Sequence, residues 1–336
     1  MANPEPTATT PVRAETEPQI DSEACAICGN RHANRVHLAR EMMFGSREAF
    51  RYLECSACGC VQLVDVPPEM SKYYPNTYYS FAAERGLRAR IKRKWAEHAH
   101  GRPTPVGRLA AFLLGPYDSM VAVRRARIPF AASILDVGCG SGQLIRDMKH
   151  LGYERVAGVD PYIAQDLHFD DGVSVLRRTL SATPGTFDVV MLHHSFEHMP
   201  EPAREMREIR RLLKPEGRVL LRIPIAASFA WRHYGVNWIG LDPPRHLFLH
   251  SPASIERLAR QADLRVAGLI YEGNASQFLG SEQIKRGIPL EDPRSIYAGG
   301  LRRWIGWWQA RRLRGRIDEL NRSGQGDWAC FELRPC

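Results

Sequence analysis

The stretch "ILDVGCGSGQL", residues 134–144, constrains the chain more than any other. Ile134-Leu135-Asp136-Val137 is short, apolar and β-branched at both ends, the pattern of a buried strand. Gly138, Gly140 and Gly142 follow, and they allow the backbone to turn sharply and to come close to a ligand. From Gln143 onward the apolar residues Leu144, Ile145, Met148 and Leu151 recur at helical spacing. Strand, glycine turn and helix start together form the context that a nucleotide-type fingerprint needs. A second strand, 155–159, ends in Asp160, about 20 residues after the glycines, as expected of a ribose-binding acid. An acid just before the glycines would repel a pyrophosphate at the helix N-terminus. Asp136 therefore favours a ligand with positive charge.

The stretch resembles the first motif of class I methyltransferases. That resemblance implies S-adenosylmethionine as cofactor, its ammonium and sulfonium balanced by acids and its amino-acid end cradled by the glycine loop. It assigns Asp136, Gly138, Gly140 and Asp160 to the cofactor, with Gly142 supporting the turn. The strand–helix alternation continues along the chain. Residues 173–180 are predicted to be a third strand, and the resemblance places an adenine-lining loop after it, with Leu180 as the contact. "FDVVMLHHS" (187–195) is a fourth strand. A helix over 200–217 turns Met206, Ile209 and Leu213 inward and is ended by Pro215 and Gly217. "RVLLRIPI" (218–225) is a fifth strand, and "WACFELRPC" suits a last one. Such alternation predicts a sheet covered by helices on both faces, with the reactive crevice at the carboxyl ends of the strands.

"HHSFEHM" (193–199) follows the fourth strand and so falls at that crevice. "FDVV…EHM…LLKPEGRVLL" resembles the corresponding stretch of small-molecule class I methyltransferases. Methyl transfer chiefly requires alignment of the acceptor, and a base when that acceptor is a hydroxyl or an acidic carbon. His198 is the first candidate base, His194 the second, and Glu197 a further candidate for a catalytic or substrate role. The same residues also suit helix capping or loop support. A divalent cation on His194, Glu197 and His198 is another reading, as in related quinone-pathway methyltransferases. Those enzymes place a carboxylate where His194 stands, which counts against it. "WIGLDPPRHLFLHS" (238–251) concentrates Trp238, Asp242, Arg245 and His246 in a proline-stiffened loop. Loops at this edge carry specificity in α/β enzymes. Arg245 and Trp238 are taken as substrate-binding, Arg245 as a clamp for phosphate or carboxylate, and His246 as an alternative base; pairing of Arg245 with Asp242 would instead brace the loop.

Four of the eight cysteines form two pairs, Cys25-Ala-Ile-Cys28 and Cys55-Ser-Ala-Cys58, each followed by glycine. That spacing bends the chain so that two thiolates face one ion, as in zinc ribbons, and it predicts a closed structural Zn2+ site. "REMMFGSREAFRYLEC" between the pairs suits a hairpin. "FGSREAFRYLECSACGCVQL", with "MSKYYPNTYYSF" and "QFLGSEQIKRGIPLED", resembles a bacterial family of zinc-ribbon class I methyltransferases from surface-polysaccharide and modified-sugar pathways. The resemblance implies a sugar, nucleotide-linked sugar or glycan precursor as acceptor. By analogy with related sugar methyltransferases it brings Tyr73, Tyr74, Tyr78 and Tyr79 towards that acceptor, Tyr78 being the substrate-binding choice.

The expected fold class is α/β: a Rossmann-like, doubly wound, seven-stranded class I methyltransferase domain preceded by a small zinc-ribbon module. The expected organisation is a disordered tail (1–20), a zinc-ribbon-like module (21–70), a tyrosine-rich, basic helical connector (71–130) and the methyltransferase domain (131–336). Substrate loops fall near 225–250 and a Trp/Arg-rich helical insertion near 280–325. No apolar run approaches the roughly 18 residues of a membrane span, and the N-terminus has no apolar core like that of a signal peptide. A cytoplasmic location is expected. The formal net charge of +9 is concentrated in 85–94 and 301–316. The second cluster places Leu301, Trp304, Ile305 and Trp308 on one stripe, which could rest peripherally on a membrane. The favoured reading packs those tryptophans on the protein. A small-molecule or glycan-type partner is expected and no specific nucleic acid. An RNA methyltransferase and a cofactor-binding protein without turnover are the alternatives; "DPPRH" has arginine where a base-amine methyltransferase motif has an aromatic residue.

Overall fold

The computed structural model describes residues 23–74, 86–299 and 301–336. The expected tail and the tyrosines Tyr78 and Tyr79 lie outside the described residues. The N-terminal module contributes strands β1 (Arg35–Arg40), β2 (Ala49–Glu54) and β3 (Val61–Leu63). The expected hairpin is the antiparallel β1–β2 pair, in register from Arg35↔Glu54 to Arg40↔Ala49. Its turn is organised by Glu41, a fully buried carboxylate that accepts the backbone N–H groups of Met43, Phe44, Gly45 and Ser46 at 2.9 Å each. Three helices follow, α1 (Gly86–Ala99), α2 (Pro105–Leu114) and α3 (Asp118–Arg125).

The catalytic half runs β4 (Ser133–Val137), α4 (Gln143–Leu151), β5 (Arg155–Val159), β6 (Leu167–His168), β7 (Ser174–Leu176), β8 (Phe187–His193), α5 (Pro202–Arg211) and β9 (Leu213–Pro224). It continues through α6 (Phe229–Tyr234), β10 (Phe248–Leu249), α7 (Pro252–Gln261), β11 (Leu264–Glu272), α8 (Ser276–Lys285), α9 (Leu301–Arg322) and β12 (Trp328–Pro335). The main sheet has the order β11-β12-β9-β8-β4-β5-β7-β6. Strands β9, β8, β4, β5 and β7 are parallel, and β12 is antiparallel to both of its neighbours. The sheet has eight strands where seven were expected, and β6 is a two-residue antiparallel edge. Strand order reverses at β4, so a crevice opens at the carboxyl ends of β4 and β8.

The two-residue period of the strands divides their side chains between two cores. Ile134, Val189, Met191 and Leu220 pack with Met120 and Val123 of α3 and with Ile145 and Met148 of α4. Leu135, Val190, Leu192, Val219 and Leu221 face Met206 and Ile209 of α5 and Ile255 and Leu258 of α7. Two expected boundaries move. The helix expected over 200–217 stops at Arg211, because Leu213 joins the sheet opposite Phe187. The third strand stops at Leu176, whose carbonyl accepts the Arg178 N–H in a tight turn.

The cysteine-bearing module is continuous with the catalytic half. Strand β10 pairs antiparallel with β3 and completes a four-stranded sheet of order β1-β2-β3-β10. This covers the polar edge that β3 would otherwise expose. The Tyr52 hydroxyl donates to the His246 carbonyl at 2.9 Å, the Trp231 indole to Glu54 at 3.0 Å, and the Ser251 hydroxyl to the Cys58 carbonyl. Cys25, Cys55, Tyr52 and Leu53 share one core with Trp238, Leu247 and Leu249. The module thus forms a wall of the substrate-side loop.

Candidate active site and cysteine cluster

Gly138, Gly140 and Gly142 all have positive φ (70°, 54° and 74°), a region that side-chain-bearing residues rarely adopt. At Gly138 close approach matters as well, since a Cβ there would stand 2.4 Å from the Ser195 Cβ. The Ser195 hydroxyl donates to the Val137 carbonyl at 2.8 Å, tying the loop after β8 to the glycine loop after β4. Gly142 is the N-cap of α4, so the helix begins directly at the crevice.

Asp136 and Asp160 are both buried beneath this loop. Asp160 accepts the Gly140 N–H and the Tyr162 N–H, each at 2.9 Å. A carboxylate has about four acceptor sites, so room for ligand hydroxyls remains. Burial, reinforced by the Asp160 charge, pushes the Asp136 carboxyl up to about 8. Two buried acids in one cradle favour a cationic ligand, which would relieve their mutual repulsion. The cradle therefore fits S-adenosylmethionine in charge and in backbone shape. Leu180 is buried in the main core, with its carbonyl accepting from Arg211 at 2.9 Å.

After β8 a single 3-10 turn, Phe196–His198, presents Glu197 and His198. His198 Nδ1 lies 2.8 Å from the Arg245 carbonyl, and His246 Nδ1 lies 2.8 Å from the Gly240 carbonyl. Carbonyls only accept, so both rings carry their proton on Nδ1 and keep a lone pair on Nε2. The rings are edge to face at 4.8 Å. The Tyr74 hydroxyl also reaches His198 Nδ1, at 3.2 Å, which places that tyrosine beside this histidine. Glu197 is fully buried, and neither of its oxygens receives a well-formed hydrogen bond. Burial pushes the Glu197 carboxyl up, but His194, His198 and His246 hold it down, to about 2. Burial and the neighbouring His198 lower His246 to about 4. At neutral pH the cluster thus presents a carboxylate and at least one neutral imidazole. Ligand atoms of Glu197, His198 and His246 lie within 4.8 Å of one another, a donor set that fits a divalent cation.

Four expected roles are corrected by their surroundings. His194 stands at the edge of this trio, its Nδ1 3.4 Å from Glu197 Oε1. Its Nε2 accepts from Arg222 Nη1 at 2.6 Å, so its basic nitrogen is occupied and its N–H side is turned to Glu197, which suits a supporting position rather than a base. It has φ 54° and sits against the Trp328 ring, a strained position fixed by its neighbours. Arg245 is fully buried and bonds Asp242 (Nε to Oδ2, 2.9 Å), Glu41 (3.1 Å) and the Tyr73 carbonyl (3.3 Å). It braces the loop against the cysteine-bearing module and has no free edge for a substrate. Trp238 is 1% exposed and its indole is directed at Asp327 at 3.4 Å, so it is core. Tyr73 bonds Glu48 and lies in the hairpin wall.

Sequence reading missed Arg222 and Glu272, which carry the buried pair behind His194 (Nε to Oε2, 2.5 Å). The available signal was an arginine within the apolar run "RVLLRIPI", since a charge in a buried strand needs a partner.

The two CxxC turns have the same geometry. Gly29 donates to the Cys25 carbonyl at 2.8 Å and Gly59 to the Cys55 carbonyl at 2.9 Å, both glycines with positive φ. The Cys25 and Cys58 sulfurs are 3.6 Å apart, and those of Cys28 and Cys55 3.5 Å. All four sulfurs lie within 4.8 Å of one another. Tetrahedral Zn–S bonds of about 2.3 Å would separate sulfurs by similar distances, so the cluster is compatible with zinc.

A doubly wound sheet with a glycine loop between two buried acids defines a cofactor-binding site for group transfer. The chain belongs to the methyltransferase-domain family, whose profile matches residues 95–268, and it is an S-adenosylmethionine-dependent methyltransferase. It is 31% identical over 188 residues to a ubiquinone biosynthesis O-methyltransferase of Xanthomonas euvesicatoria, covering 47% of this chain and 77% of that protein. A protein of the same name from Pseudomonas paraeruginosa is 40% identical over 157 residues, covering 41% of this chain and 66% of that protein. The cysteine-bearing module lies outside the family match.

Proposed function

We propose that the protein transfers a methyl group to a hydroxyl of a small-molecule acceptor, with His198 as the base and a structural zinc ion on Cys25, Cys28, Cys55 and Cys58. The observation that carries this reading is the pair of Nε2 lone pairs on His198 and His246 around the Glu197 carboxylate, beside the glycine loop. Asp136, the glycine loop and Asp160 would hold S-adenosylmethionine, which supplies an activated methyl group when bound. His198 Nε2 accepts the hydroxyl proton, and Glu197 stabilises the imidazolium that results. His246, already lowered to about 4, orients the acceptor oxygen. The names of the relatives support oxygen as the atom methylated.

A second reading has the same trio hold a divalent cation that binds the acceptor hydroxyl, with His246 in place of the expected His194. The burial of Glu197 with no well-formed hydrogen bond on either oxygen favours it. A sugar-type acceptor rests on the resemblance of the N-terminal half alone, whereas the relatives are named for ubiquinone biosynthesis. Methyl-labelled cofactor incubated with catechols and with nucleotide-linked sugars separates these acceptors. His198→Ala should lower kcat at least a hundredfold with cofactor affinity unchanged. Full turnover in that variant refutes the base. Activity abolished by a chelator and restored by Mg2+ or Mn2+, with zinc content constant, selects the cation reading.

A further inference from the structure

Helix α2, "PVGRLAAFLL", is packed inside out. Its small residues Gly107 and Ala110 are buried, while Leu109 is 58%, Phe112 49% and Leu114 51% exposed. Gly107 permits this orientation, since a Cβ there would lie 2.2 Å from the Lys94 carbonyl of α1. Arg108 is the one charged residue of the helix. Helix α9 has the same character over its first two turns. Leu301 is 76%, Trp304 56% and Trp308 57% exposed, against the expectation that these tryptophans pack on the protein. Farther along, Ile317 and Leu320 are buried and anchor the helix.

The two apolar faces are one surface. The Trp307 indole donates to the Phe112 carbonyl at 3.0 Å, the two rings meet at 5.2 Å, and the Arg311 guanidinium covers both, 4.3 and 4.7 Å from their centroids. Arg108, Arg302, Arg303 and Arg312 are exposed on the same two helices. Among the described residues no single helix is long and apolar enough to cross a membrane, and α2 and α3 meet at a bend of 118°.

The geometry points to a peripheral membrane-docking face: α2 and the start of α9 lie together on an anionic phospholipid bilayer. Large aliphatic side chains enter the acyl boundary, Trp304 and Trp308 sit at headgroup level, and the arginines meet lipid phosphates. A second copy of the chain fits less well, because a self-complementary contact would set these arginines against themselves. An electroneutral surface would leave them without counter-charge.

The test is flotation of the full-length protein with phosphatidylcholine vesicles that contain or lack 30% phosphatidylglycerol, about a third being a realistic anionic load. Native protein should float with the anionic vesicles, and less so as salt is raised. Leu109→Ser with Leu113→Ser, and separately Trp304→Ser with Trp308→Ser, should each lower partitioning at least tenfold. Arg108→Gln with Arg303→Gln should abolish the preference for anionic lipid. Unchanged S-adenosylhomocysteine affinity in every variant shows that the fold is intact. Native protein that stays with the soluble fraction, or variants that float as well as native, would overturn the proposal. So would light scattering that shows a dimer dissolved by the same substitutions without vesicle binding.

Discussion

Arg245→Met separates a structural arginine from a substrate clamp. The native guanidinium is fully buried between Asp242, also largely buried, and the fully buried Glu41. Methionine keeps most of the stem volume but strands both carboxylates. Glu41 retains its four backbone N–H donors, whereas Asp242 loses both of its side-chain bonds to Arg245. Removing one partner of a buried ion pair costs about 3–5 kcal/mol, and the donors on Glu41 place this case near the lower end, about 3 kcal/mol. With about 2–4 °C lost per kcal/mol in a domain of this size, Tm should fall by about 6–12 °C. The pH dependence has a defined sign. Burial raises the Asp242 carboxyl, but Arg245 outweighs it and leaves the group lowered. The stability this pairing contributes is fully present above the unfolded aspartate value near 4 and is lost as pH falls through the lowered folded value. The gap between native and variant should therefore narrow as the solution is acidified. Adding Asp242→Asn should recover about half of the loss. Urea unfolding followed by tryptophan fluorescence from pH 3 to 8 measures all three effects. A variant within about 0.5 kcal/mol of native but with KM raised tenfold would refute the brace and restore the clamp.

Asp160→Ala removes the acceptor of the Gly140 and Tyr162 N–H groups; calorimetry should show at least tenfold weaker S-adenosylhomocysteine binding with zinc content unchanged. Asp136 is raised to about 8 by burial and by Asp160, so the folded state holds a proton that the unfolded state releases near pH 4. Stability should then decline as pH rises from about 4 to about 8, and Asp136→Asn should flatten that decline while cofactor affinity drops; a native-like pH slope in the variant contradicts the assignment. Removal of zinc with a strong chelator, or Cys25→Ser, should release one equivalent of metal and reduce turnover together with the thermal midpoint, because β3 of the cysteine-bearing module pairs with β10 beside the site. An unaltered melting curve after complete metal loss would exclude a structural role.

The glycine loop, Asp136, Asp160 and the β4–α4 junction were all legible in the sequence, because each depends on residues close along the chain. A strand period, a left-handed glycine and a helix start are local physics. The CxxC turns were legible for the same reason: each thiol pair is placed by its own five-residue turn. The roles of the histidines were not. "HHSFEHM" places His194, Glu197 and His198 within a few residues, yet Arg222 on β9 occupies His194 Nε2 and the 240–246 loop brings His246 to the cluster. Arg245 and Trp238 look equally suited to substrate in one dimension; packing of the cysteine-bearing module over their loop makes one a brace and the other core. The exposed tryptophans of α9 show the same limit, since an amphipathic stripe defines a face but not what lies opposite it. Which atoms meet across elements distant in sequence is decided by desolvation and by the pairing of buried charges, and these exist only once the chain has closed on itself.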